Sequence, residues 1–127
     1  MEEQFNIFGE PLISCSTTPV TGYFRDGCCN TDDSDFGMHT VCVVTTAEFL
    51  AFSYQSGNDL TTPHPNWGFP GLQAGDKWCL CAERFLEAQK AGFAPKVVLE
   101  ATNEKTLKVV SMDILIENAH YAKQEEG

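Results

Sequence analysis

Thr40 to Tyr54 reads TVCVVTTAEFLAFSY, and a change of pattern in the middle of it decides the fold class. Thr40–Thr46 is β-branched and uninterrupted, the composition of a buried strand. Ala47–Tyr54 then carries Phe49, Leu50 and Phe52, preceded by a capping-box signature in Thr45 and Glu48 and followed by Gly57 as a stop, which predicts a short helix over 47–56.

Downstream, GNDLTTPHPNWGFPGLQAGD (57–76) contains three prolines and four glycines, too many breakers for an element. An ordered loop of this length in a compact domain is uncommon and often functional. Trp78, Cys81, Ala82, Phe85, Leu86 and Gln89 follow helical spacing, with Asp76 as the expected N-cap and Gly92 past the end, so a helix is predicted over 78–91. KVVLEA (96–101) reads as a second buried strand, 102–107 as one helical turn and 108–110 as a third, shorter strand. Ser111 caps a last amphipathic helix over about 112–121. Upstream, residues 1–20 predict a short strand or lid around Phe5, Ile7, Phe8, Leu12 and Ile13. The expected fold is therefore α+β: a small single domain over 1–127 with a short, mostly buried sheet, about three packing helices and long ordered loops. Its ends, 1–8 and 123–127, are expected to fray.

The chain has 127 residues, enough to bury one core. Its 18 acidic and 8 basic residues give a formal charge of -10, which opposes nucleic acid and anionic membranes as partners. No run approaches the roughly 20 apolar residues of a spanning helix, and MEEQFNIFGE (1–10) lacks the blocks of a signal peptide; a cytoplasmic protein is expected. In that compartment six cysteines read first as core, metal ligands or reactive thiols, and last as a disulfide framework.

Candidate chemistry concentrates in TGYFRDGCCNTDDSDFGMHTVC (21–42). Adjacent Cys28 and Cys29 cannot both turn inward from a strand, so one is a candidate nucleophile or redox sensor, with His39 near enough to serve as base. Two thiols filling tight space beside glycines is the plainer alternative. Arg25 would clamp a carboxylate or phosphate bidentately, or else pair with Asp26 to lock the loop. Asn58 and Asp59, which open the long loop, and the aromatic walls Trp67 and Trp78 complete a candidate pocket between the 21–39 and 57–77 loops. His39, Cys42, Cys79 and Cys81 form the candidate zinc set. The CxC and HxxC spacings differ from paired CxxC knuckles, and on a helix Cys79 and Cys81 would face apart, so no cofactor is the first expectation and zinc the second. His64 and His120 receive no role. Thr102 and Glu104 read as caps. GxSxG, GxGxxG, GxxxxGK[ST], HExxH and CxxC motifs are all absent.

GYFRDGCCNT, HTVCVVTTAEFL, GNDLTTP, GFPGLQAGDKWCLCAERF and APKVVLEATNEKTL together resemble the small family catalogued as domain of unknown function 2237, from about Gly9 to the last helix. The resemblance implies a stand-alone soluble domain and carries over no activity, substrate or catalytic residue. The sequence departs from the family pattern at Asp32, Asp33 and Ser34, where a Gly-Pro-Glu-like run is expected, and at Asn103, where an ATHE run would place histidine. Were that histidine catalytic, activity here would be in doubt. Four functions stay open: a domain binding a small anionic or polar ligand, a thiol-dependent enzyme or redox-responsive protein using Cys28 or Cys29, a zinc-stabilised module, and an interaction partner in a larger assembly.

Overall fold

A computed structural model describes residues 3–120. In chain order its elements are β1 (His39–Val44), α1 (Ala47–Gln55), β2 (Lys77–Cys81), α2 (Ala82–Ala91), β3 (Lys96–Val97) and α3 (Met112–Glu117), with 3-10 turns at Pro65–Trp67, Leu99–Ala101 and Glu104–Lys108. The three strands form one antiparallel sheet in the order β2-β1-β3, so the fold is α+β with a small central sheet.

β1 sits in the middle because nothing in Thr40–Val43 tolerates water: all four residues are buried. Strand alternation sends Val41 and Val43 to one face and Thr40 and Cys42 to the other. The valine face joins Trp78 and Leu80 of β2, Val97 of β3, Phe49 and Leu50 of α1, Phe85 and Ala88 of α2, and Leu115 of α3 in the main core. The opposite face builds a second, smaller core from Cys15, Cys29, Cys42, Cys79 and Ala101. There the Thr106 hydroxyl donates to the Thr40 hydroxyl at 2.7 Å, so the polar groups of this face are buried as a pair.

Helix termini follow their local chemistry with one shift. The N-cap of α1 is Thr46, whose Oγ1 accepts from Phe49 N; Thr45 is instead buried and donates to the carbonyls of Gln73 and Asp76. Ser111 Oγ accepts from Ile114 N at the start of α3, and Gly92 closes α2 at φ +87.

Between residues 76 and 110 the sequence reading needs four corrections. Trp78–Cys81 is strand, not the first turn of a helix: Cα partners run from Val43↔Trp78 to His39↔Cys81, so α2 begins at Ala82 with Cys81 as N-cap. Both periodicities fit WCLC, and pairing with β1 decides. Asp76 consequently caps no helix; its carboxylate accepts from Gln73 N and closes the loop before β2. The second strand ends at Val97, and Leu99–Ala101 coils into a 3-10 turn. No strand forms at 108–110, because the Glu104–Lys108 turn ends there and buries Val110 as a single plug.

Asn6 and Ile7, in the segment expected to fray, are buried. The Asn6 amide oxygen accepts from Phe8 N and Glu10 N, its Nδ2 donates to Glu100 O, and Ile7 N donates to Thr102 O. The expected tail at 123–127 lies outside the described residues. α3 ends at Glu117, short of the Tyr121 expected. No helix among the described residues is long and apolar enough to cross a membrane.

Candidate functional site

Thr21 fixes the 21–39 loop to the sheet. Fully buried, its Oγ1 accepts from Cys79 N at 2.8 Å, satisfying a donor of β2, while its carbonyl accepts from Gly27 N. Gly22 then turns at φ +100, and a Cβ there would stand 2.3 Å from Cys28 O, so only glycine lets the loop close on itself. The turn carries Arg25 back over β2 in a left-handed conformation, φ 56, with its guanidinium 5.1 Å above the Trp78 ring.

The same loop shapes a histidine. Asp35, 3 % exposed, accepts from the Thr31 hydroxyl, from His39 N and, at 2.7 Å from its Oδ1, from His39 Nδ1. A carboxylate accepts only, so Nδ1 holds the ring proton and Nε2 is left as the basic nitrogen. Tyr23 stacks on the imidazole at 6.2 Å, and Gly37 leaves room for the ring, since a Cβ there would lie 2.8 Å from Cε1. Met38, left-handed at φ 50, delivers His39 into β1.

These residues meet at a cleft. One cavity of about 210 Å³ is lined by Gly22, Tyr23, Arg25, His39, Leu60, Trp78 and Cys79. A second, of about 190 Å³, is lined by His39, Asn58, Leu60, Trp78, Leu80, Cys81 and Arg84. They share His39, Leu60 and Trp78. Of the residues nominated from sequence, Arg25, His39, Asn58, Trp78, Cys79 and Cys81 line the cleft.

The others do not. Asp26 is spent on the loop, accepting from Cys28 N and Asn30 Nδ2, and makes no ion pair with Arg25. Asp59 turns the chain, accepting from the backbone and hydroxyls of Thr61 and Thr62, which holds its carboxyl down at about 2. Trp67 is exposed and stacks on His64 at 4.5 Å. Tyr23, Asp35, Leu60 and Arg84 were not nominated. Arg84 could not be: only the pairing of 78–81 with β1 brings the first turn of α2, and Arg84 with it, to the His39 side of the cleft.

The cysteines overturn the expected order of readings. Four of the six are paired: Cys15–Cys42 and Cys29–Cys79, with Cα separations of 5.7 and 5.3 Å. The cause is long-range: β1 and β2 set Cys42 opposite Cys79, and the two preceding loops bring Cys15 and Cys29 onto that face. Cys29, a candidate nucleophile, therefore has no free thiol. Cys28 is free, but burial and then the Asp26 charge push its thiol up from the usual range, against thiolate formation. The zinc set is divided, with Cys42 and Cys79 in the sulfur core and His39 and Cys81 at the cleft. Within that core the sulfurs of Cys15, Cys29 and Cys79 lie within 4.8 Å of one another.

The family model described as "Uncharacterized protein conserved in bacteria (DUF2237)" matches residues 5–119. The chain belongs to this family. No curated protein matches it. In this DUF2237 domain the positions where the sequence reading expects departures from the family pattern meet away from the cleft: Asp32, Asp33 and Asn103 line a separate depression of about 500 Å³. Asn103 is buried and structural there, donating to Gln4 Oε1 and Cys29 O and accepting from Lys105 N. A further groove of about 500 Å³ along α2, between Phe52 and Glu83, Glu87 and Lys90, draws on none of the DUF2237 loops.

Proposed function

We propose that the domain binds a small anionic molecule in the cleft between the 21–39 and 57–77 loops. The observation that carries this reading is the placement of Arg25. In a chain with 18 acidic residues, its guanidinium has no carboxylate within ion-pair distance among the described residues and instead lies on Trp78 at the cavity wall. Arg25 is exposed, and its left-handed backbone position costs on the order of 1 kcal/mol or more. Arg84 supports the reading from the adjoining cavity, which shares His39, Leu60 and Trp78 with that of Arg25. Its Nη1 donates to Ser56 O and Glu87 Oε1, which fixes the head group beside Asn58 and His39. A carboxylate or phosphate between these groups gains charge-assisted hydrogen bonds, while Trp78 and Leu60 supply apolar contact.

Titration with acetate, malonate and phosphate, followed by Trp78 fluorescence and calorimetry, tests the reading. Saturable binding that is lost in Arg25→Gly and Arg84→Gln supports it; the absence of saturation, or binding unchanged in both variants, overturns it. A cytoplasmic setting is proposed with this reading, and counting alkylated thiols after trapping in intact cells tests it.

A second reading attaches to the sulfur core, because three of its sulfurs already cluster. Once a dithiol reductant has opened both disulfides, the cysteines would offer zinc the thiolates it prefers. Zinc content per chain before and after reduction decides it.

A further inference from the structure

We propose that Cys81 is the nucleophile of the cleft, with His39 as its base and Asp35 as the positioning residue, acting on small carboxylates that carry an electrophilic carbon and a leaving group. The choice of substrate rests on the anion-binding reading above; the reactivity of the thiol does not.

Three observations converge on this site. Cys81 is one of two cysteines outside the disulfides and is partly exposed, while Cys42 and Cys79 are buried and their sulfurs are held in disulfides. The register sets Cys81 opposite His39, at the point where the β1–β2 pairing becomes irregular between His39 and Val41, and both residues line the 190 Å³ cavity with Asn58 and Arg84. That volume corresponds to roughly six waters, the size of a small metabolite. Thirdly, the structure buries a carboxylate, Asp35, to hold Nδ1 of a half-exposed histidine. Burying a charge is expensive unless donors surround it, and three are supplied here. A nucleophile and a base thus line one cavity, and a buried carboxylate behind the base orients it.

Cys28 serves as the internal control. It is the other free thiol, and burial, then the Asp26 charge, oppose its ionisation.

In the step itself, the Cys81 thiol gives its proton to His39 Nε2 as the bond from Sγ to the electrophilic carbon forms. The bond from that carbon to the leaving group breaks, and the leaving group departs with the electron pair. With iodoacetate the products are carboxymethyl-Cys81 and iodide, and His39 returns its proton to water. Arg84, which lines the same cavity, holds the reagent's carboxylate meanwhile.

The experiment alkylates the oxidised protein with iodoacetate and, separately, with iodoacetamide, and follows Cys81 and Cys28 by peptide mass. Cys81 is expected to react about tenfold or more faster than Cys28 with both reagents, and iodoacetate is expected to be preferred at Cys81 relative to Cys28. His39→Asn keeps an N–H toward Asp35 but removes Nε2, and should bring the Cys81 rate down to near that of Cys28 while leaving Cys28 unchanged. Asp35→Asn should lower the same ratio. Thermal melts report folding, and His39→Gln replaces any variant that fails to fold. Equal rates at Cys81 and Cys28 in the unmodified protein, or a Cys81 rate unmoved by loss of Nε2, overturn the proposal. Fast iodoacetamide labelling without preference for iodoacetate leaves Cys81 as nucleophile and refutes the anion site alone.

Discussion

The guanidinium of Arg25 lies 5.1 Å above the ring of Trp78, joining the turn of the 21–39 loop to the first residues of β2. This contact closes one wall of the cleft, and its backbone is the unusual part: Arg25 is left-handed at φ 56. Glycine would adopt that conformation without the steric penalty.

Arg25→Gly should therefore separate stability from binding. Relief of the backbone and loss of a cation–π contact, each about 1 kcal/mol, oppose one another and leave the melting temperature within a few degrees of the parent. Anion binding should fall tenfold or more. A melt shifted far downward, or binding retained, would show that Arg25 holds the loop rather than a ligand.

Gly22 admits no such freedom. A methyl group there would meet Cys28 O at 2.3 Å with φ at +100, so the loop between Thr21 and Cys28 must open. Gly22→Ala should lose about 2 kcal/mol or more of stability and also the quenching of Trp78 by added anions. Denaturant unfolding monitored at Trp78 checks both.

The disulfides close overlapping segments, with sequence separations of 27 and 50. Loop-closure entropy gives about 3.5 and about 4 kcal/mol for spans of this length, and the overlap keeps the two from adding fully. Reduction should lower the melting temperature by on the order of 10 °C. Should zinc added after reduction restore the loss, with metal bound stoichiometrically, the sulfur core is a metal site as well; a reduced protein that melts unchanged would mean that the main core alone carries the fold.

Asp59 links the long loop to acid. Its folded-state carboxyl titrates at about 2, below the ordinary 3.8, because the Thr62 and Thr61 hydroxyls and amides donate to its charged form. A depressed carboxyl contributes stability that is complete above its unfolded value and is lost as pH falls through its folded one. The melting difference between the parent and Asp59→Asn should be constant near neutrality, shrink below about pH 4 and vanish near pH 2. A difference independent of pH would assign the loop's order to Pro63, Pro65 and Pro70 instead.

Local chemistry made part of this molecule legible in the sequence. The β-branched run at 40–46 could only be a buried strand, Ser111 and Gly92 mark helix ends by their own hydrogen bonding and backbone freedom, and the breakers of 57–76 forbid an element. Arg25 and His39 stood out because positive charge and imidazole are scarce in so acidic a chain. Family membership was legible for the same reason, in runs such as RDGCC and GDKWCLC.

What local chemistry leaves open, pairing decided. WCLC suits strand and helix alike, and only the register against β1 makes it β2, starts α2 at Ala82 and sets Cys81 and Arg84 beside His39. The same register sets Cys42 opposite Cys79, and so gathers four cysteines from distant segments into a sulfur core that no spacing announces. Thr31, Asp35 and His39 lie within nine residues of one another, yet nothing short of the folded turn shows that the carboxylate is buried and aimed at the ring. The sequence by itself determined that the run from Thr40 to Val43 and the apolar faces of α1 and α2 must be inside, because water excludes such residues one at a time. Which side chains face each other across the cleft was settled only in three dimensions, because that depends on the order of strands in the sheet.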